Sequence, residues 1–242
     1  MPASQSSPSS LRNWAPPAFL IALGVGAVAI ALNNLFVPTA VQAASAAAFA
    51  GQDYLLQLAA FDRNPLLIRA HVAMGLAFVL IAAFQFWRGF RSRFPAVHRL
   101  MGRVGLTLLV ALPATGLACS IVYPFAGPAG VTPNIVWLVA VTSCVAMAWF
   151  TIRRRDVLGH QAWVTRATAL TLGITLSRLY EPLLIYAFHM QARPALALVF
   201  WLGQGEGLLV AEVWLRRPAG PLARKAAARK ALKAGSPKVI GA

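Results

Sequence analysis

Long apolar runs alternate with short basic segments along the whole chain. Residues 13–37 carry no charge, and neither do the 49 residues from Val104 to Ile152. A helix of about 20 apolar residues crosses a bilayer, so the second run is long enough for two. Pro and Gly between Tyr123-Pro124 and Pro133 divide it. The pattern predicts helical spans at about 14–37, 66–87, 102–123, 133–152, 161–188 and 194–215. Pro182 follows Glu181 inside the fifth of these and predicts a kink there. Residues 1–13, rich in Ser and Pro, read as a disordered N-terminus, and 216–242 as a basic tail. Between Pro38 and Asn64-Pro65, Tyr54, Leu55, Leu58 and Phe61 recur at helical spacing. They predict either an amphipathic helix on the membrane surface or a cap over the bundle. A cleaved signal peptide ending near Val41-Gln42-Ala43 competes with the first span, but the apolar core is too long for one.

Composition agrees with this reading. Hydrophobic residues make up 59% and charged residues 12%, against about 25% charged in soluble domains. The net charge of +16 is not a nucleic-acid signature. The basic residues sit in the loops after spans two and four and in the tail, which together hold 17 of the 22 Arg and Lys. Such clustering marks cytoplasmic loops. An even number of spans puts both termini on that side. The expectation is an all-α, six-transmembrane-helix bundle over residues 14–215, with N and C termini cytoplasmic, in a bacterial inner membrane. No internal repeat is visible. The tail has no aromatic residue for stacking on bases, and its cations predict contact with anionic lipids.

The chain has six Asp and Glu, and Glu181, Glu206 and Glu212 lie in apolar stretches. An ionisable group in hydrocarbon is expensive and faces a partner or a function. Glu212 lies at the depth of Arg103 and Arg166, which predicts either a buried ion pair or a ligand site. Glu206, within Gly203-Gln204-Gly205-Glu206-Gly207, is read as a neutral acid bonded to Gln85 or as a proton relay. Near the outer face, His71, Arg178 and Glu181 form a second polar group, with Arg178 and Glu181 neighbours on one helix face. Cys119 and Cys144 read as packing residues.

Two motifs open helices on the basic side: His98-Arg99-Leu100-Met101-Gly102-Arg103, and His160 with Trp163 and Arg166. Each combines a histidine, an arginine and free helix N–H groups, a combination suited to anions. A lipid phosphate, a cofactor carboxylate or Glu212 matches either motif. Paired histidines also raise b-type haem, with His71, His98 and His160 as the candidate ligands. No zinc-type spacing and no nucleophile–base set is present.

These residues carry a resemblance. His71 with Gly75, Gln85, His98-Arg99 with Gly102-Arg103, Arg155-Asp156 with His160, Trp163, Arg166 and then Arg178 resemble a bacterial family of predicted multi-pass membrane proteins known as a domain of unknown function. The resemblance covers about residues 66–182 and implies a membrane location. In outline the chain is also similar to cytochrome-b-type ferric reductases. Three functions follow as expectations. The first is binding or transport of a small anionic or lipid-like ligand at an intramembrane polar site. The second is a membrane oxidoreductase binding haem b or quinone. The third is a structural subunit without catalytic role.

Overall fold

The structure is a computed structural model that describes residues 25–26, 28–29, 31–46 and 52–235. All regular structure among the described residues is helical. We number the helices α1 (Thr39–Ala46), α2 (Gln52–Arg63), α3 (Pro65–Phe86), α4 (Arg88–Arg93), α5 (Pro95–Val122), α6 (Gly127–Arg153), α7 (Val157–Pro182), α8 (Ala192–Arg216) and α9 (Pro221–Gly235). A π-helical turn, Leu183–Ala187, follows α7 at the predicted kink. The first predicted span lies mostly outside the described residues; 31–36 are helical.

Proline sets several boundaries. It occupies the first turn of α3, α5 and α6, where its missing N–H costs nothing. This shifts two expectations. The third span begins at Pro95 rather than near 102, and the fourth at Gly127 rather than at Pro133. Pro133 sits buried inside α6, where Gln204 Nε2 donates to its carbonyl at 3.2 Å. At the other end of α6, Arg155 adopts a left-handed φ of 59°. The Asp156 N–H reaches the Thr151 carbonyl and the Arg155 N–H reaches Ile152, both at 2.9 Å, closing a Schellman turn. Asp156 then caps α7 by accepting from the Gly159 N–H at 2.9 Å.

Among the described residues, four segments are long and apolar enough to cross a membrane: α3, α5, α6, and a stretch within Ala192–Lys230 that contains α8. Their outer faces carry exposed Val139, Trp149, Phe150, Leu209 and Val213, a surface suited to lipid. The core joins α3, α5, α6 and α7 through Phe78, Leu109, Leu112, Trp137, Val141, Cys144, Ala167 and Leu170. Helix α7 packs against α5, α6, α8 and α9. Neighbours on so many sides explain how it holds the buried Thr168 and Thr171 and a less apolar sequence than the others. Helix α2 caps one end. Leu58 is buried, and the Phe61 ring meets Tyr123 and Phe125 edge-on at 5.2 and 6.0 Å. Of the two readings of this segment, the cap is the one realised.

Two seams set the register. Along α3 and α5, a Cβ at Gly75 would meet Leu112, at Gly102 Gln85, at Gly105 Ile81, and at Gly116 His71. The helices are therefore antiparallel in one regular alignment. Along α7 and α8 the backbones touch. A Cβ on Gly173 would lie 2.0 Å from the Gly203 carbonyl oxygen, and one on Gly207 2.3 Å from that of Ala169. Small residues four apart on both helices permit this approach. Gly205, on the far side, has nothing within 4 Å. Gly173→Ala and Gly207→Ala should each destabilise the detergent-solubilised protein by about 3 kcal/mol or more, because the clash is with backbone. Gly205→Ala should be neutral or mildly stabilising. Thermal unfolding of the three variants checks this.

Candidate functional site

Polar side chains gather in three places: the α7–α8 seam, the arginine-rich end, and a cavity at the opposite end. In the seam, Arg166 Nε–H donates to Glu212 Oε1 at 2.5 Å, and Arg216 contacts Glu212 Oε2 at 2.8 Å. The Arg166 guanidinium also lies 4.6 Å from the Trp163 ring centroid. Removing one member of such a pair strands the other's charge in a half-buried setting. Arg103, the other expected partner, is exposed and outside this network. Further along the seam, the Tyr180 hydroxyl donates to the Glu206 carboxylate. This corrects the expected Gln85–Glu206 contact, since Gln85 sits against Gly102 in a different seam. The α7 partners of the two acids, Arg166 and Tyr180, thus bracket the Ala169 and Gly173 contact positions.

At the arginine-rich end, His160 lies within 2.9 Å of the Ala148 carbonyl through Nδ1. A carbonyl only accepts, so Nδ1 carries the hydrogen. Helix α9 folds back onto α7: Lys225 pairs with Asp156, and Arg224 donates to Gln161 at 3.3 Å. Part of the tail expected to serve lipid is therefore engaged by protein. The capping role of Asp156 had a sequence signal, an Asp directly before an apolar helix. Its pairing with Lys225, 69 positions away, had none.

The opposite end holds a cavity of about 110 Å³. Its polar lining comes from His71 on α3, Ser120 on α5, Asn134 and Trp137 on α6, and Gln57 on α2, while Ile68, Ile174, Leu196 and Phe200 form apolar walls. His71 Nδ1 is 2.8 Å from Thr115 Oγ1, and Thr115 itself donates to the Ala111 and Leu112 carbonyls at 2.9 and 3.1 Å. Its one hydrogen is thereby used, so His71 is the donor in their contact. Trp137 is 3% exposed, and its indole Nε1–H has no hydrogen-bond partner. Gly116 keeps the space open, since a Cβ there would lie 2.8 Å from the Trp137 ring. Among the described residues, no lysine or arginine lines the cavity.

Of the expected site residues whose side chains are described, only His71 lines this cavity. Gln85, His98, Arg99, Arg103 and His160 lie toward the arginine-rich end, about 20 Å away along α3 at 1.5 Å per residue. The three histidines suggested as haem ligands therefore divide between two ends and do not form one site. Glu181 is half-buried, and the side chain of Arg178 lies outside the described residues, so their suggested pairing does as well. Sequence reasoning missed Asn134 and Trp137. An Asn one residue after an in-span proline was the available signal.

Asp156 gives a pH test. The Lys225 ammonium and then the Gly159 N–H hold its carboxyl below the usual carboxylate range. Stability from this contact is present above the unfolded-state value, about 3.9, and is lost as pH falls through the lower folded-state value. Docking of α9 on α7, followed by distance labels on the two helices, should persist at pH 5 and weaken in that acid window. Asp156→Asn should weaken it at pH 5 and remove its dependence on pH in the acid window.

No curated protein and no solved structure matches the chain. A family model does match, over residues 68–215, which takes in the α3–α5 seam, the cavity lining apart from α2, and the α7–α8 seam. The chain belongs to that family, described as predicted membrane protein (DUF2306), and is a multi-pass membrane protein.

Proposed function

We propose that this protein binds a small, neutral, lipid-like ligand in the cavity lined by His71, Asn134 and Trp137. One observation carries the reading: the buried Trp137 indole N–H has no partner and sits in the cavity wall. A buried donor left unmatched costs about 1–3 kcal/mol, and a ligand carbonyl removes that cost. The apolar walls favour an alkyl or ring body, and a described lining without lysine or arginine favours a neutral group over an anion. Among the expected ligands, this chemistry fits a quinone. Glu206 and Glu212, each bonded to α7, serve helix packing in this reading.

The same proposal sets the protein in a bacterial inner membrane as a six-span bundle, with 1–13 and 216–242 flanking it. The arginine-rich end is cytoplasmic and the cavity lies near the outer face. The charge bias of the loops after α3 and α6 supports this orientation. Alkaline phosphatase fused after Ala242 should be inactive, and fused after Pro124 active; the reverse result overturns the orientation.

Binding is tested with decylubiquinone and the full-length protein in detergent. Saturable binding is expected. Trp137→Phe should weaken it about tenfold, the equivalent of one hydrogen bond of about 1.4 kcal/mol. Gly116→Ala should weaken it by crowding Trp137. Lack of binding by the native chain, or unchanged binding in both variants, overturns the assignment for this ligand class.

A further inference from the structure

The two His–Arg motifs end differently. In the second, Arg166 is taken by Glu212 and His160 by the Ala148 carbonyl. The first has no such internal partner. The α3–α5 register brings the Gln85 amide against Gly102, with Oε1 3.3 Å from where a Cβ would sit. His98 is one helical turn from Gly102 on the same face of α5. Gln85 Nε2 and His98 Nδ1 are both buried, and neither has a hydrogen-bond partner.

Short helix α4 closes over this corner. Phe90 is pinned between Phe84 and Phe94, at 5.3 and 5.6 Å between ring centroids. Arg91 folds back so that its guanidinium donates to the Gln85 carbonyl at 3.3 Å. Arg91, His160 and Arg99 all lie close enough to act electrostatically on His98. The described acids at this end are Asp156 and Glu212, and both are engaged, by Lys225 and by Arg166 with Arg216. The ion pairs among the described residues include none of Arg91, Arg99 and Arg103.

We propose that Gln85, Arg91 and His98 form a phosphate-type anion site at the arginine-rich end, separate from the cavity at the opposite end. The sign of the charge decides the ligand. A metal cation would meet two arginines and at most two imidazoles, with both described carboxylates at this end already engaged. An anion accepts from the Gln85 amide and from a Nδ1-protonated His98, and it neutralises the surrounding guanidinium charge. The ligand is a phosphate group, carried either by a lipid headgroup at the membrane boundary or by a soluble molecule.

The test uses the full-length chain in two arms. Inorganic phosphate is titrated calorimetrically into detergent-solubilised protein. Nanodiscs of phosphatidylcholine, with or without phosphatidylglycerol, are analysed for retained lipid by native mass spectrometry. Saturable one-to-one binding is expected in at least one arm. Arg91→Gln and Gln85→Leu should each weaken it at least tenfold, and Arg154→Gln, on an exposed turn, should leave it unchanged. Phosphate binding supports a soluble ligand; retention of phosphatidylglycerol without phosphate binding supports a headgroup. Folding is checked by gel filtration, and Arg91→Gln, on the short surface helix, keeps the test decisive if Gln85→Leu does not fold. No binding in either arm overturns the site, as does equal weakening by Arg154→Gln or binding of Zn²⁺ in place of phosphate.

Discussion

The architecture depends on the backbone contact between α7 and α8. At Gly173, Gly203 and Gly207 there is no room for a side chain. This closeness brings the two acids of α8 within reach of fixed partners on α7, Arg166 for Glu212 and Tyr180 for Glu206. Glycines and carboxylates are therefore one device. The small residues give dispersion contact where lipid supplies no hydrophobic drive between helices. The polar pairs remove the cost of carrying ionisable groups through an apolar region. An acid without its partner, or a seam widened by one methyl group, undoes both.

With those acids satisfied internally, the remaining unpartnered polar atoms become informative. Trp137 Nε1 lies toward one end of the bundle, and Gln85 Nε2 and His98 Nδ1 toward the other. The α3–α5 pair runs between them, with Gly116 opening space beside His71 and Gly102 admitting Gln85. Among the described residues, one end offers a donor within apolar walls without lysine or arginine, while the other offers donors within an excess of arginine. The two ends of the same helix pair are thus suited to ligands of opposite character, neutral at one and anionic at the other.

Four of the six expected spans, those now seen as α3, α5, α6 and α8, were legible because bilayer-length apolar runs are a one-dimensional signal. The break after Tyr123 followed from proline and glycine chemistry, and a π-helical turn begins directly after Pro182, where a kink was expected. Helix starts were less legible, because Pro133 reads as a boundary yet lies inside α6, where Gln204 meets its carbonyl. The Arg166–Glu212 pair was within reach, since depth can be counted along each helix. The Tyr180–Glu206 contact was not, because counting gives depth but not the face toward which a side chain turns.

Composition and periodicity by themselves determined a helical membrane protein with basic residues concentrated in particular loops and few acids, each in need of a partner. These are properties of single segments, fixed by the requirement that backbone polar groups be satisfied within a span. Only the tertiary structure decided which acid met which donor, that Lys225 reached Asp156, and that Asn134 and Trp137 shared a cavity with His71. Those outcomes rest on helix rotation and register. Both follow from glycine contacts between segments distant in sequence, and such contacts leave no periodic trace in either segment alone.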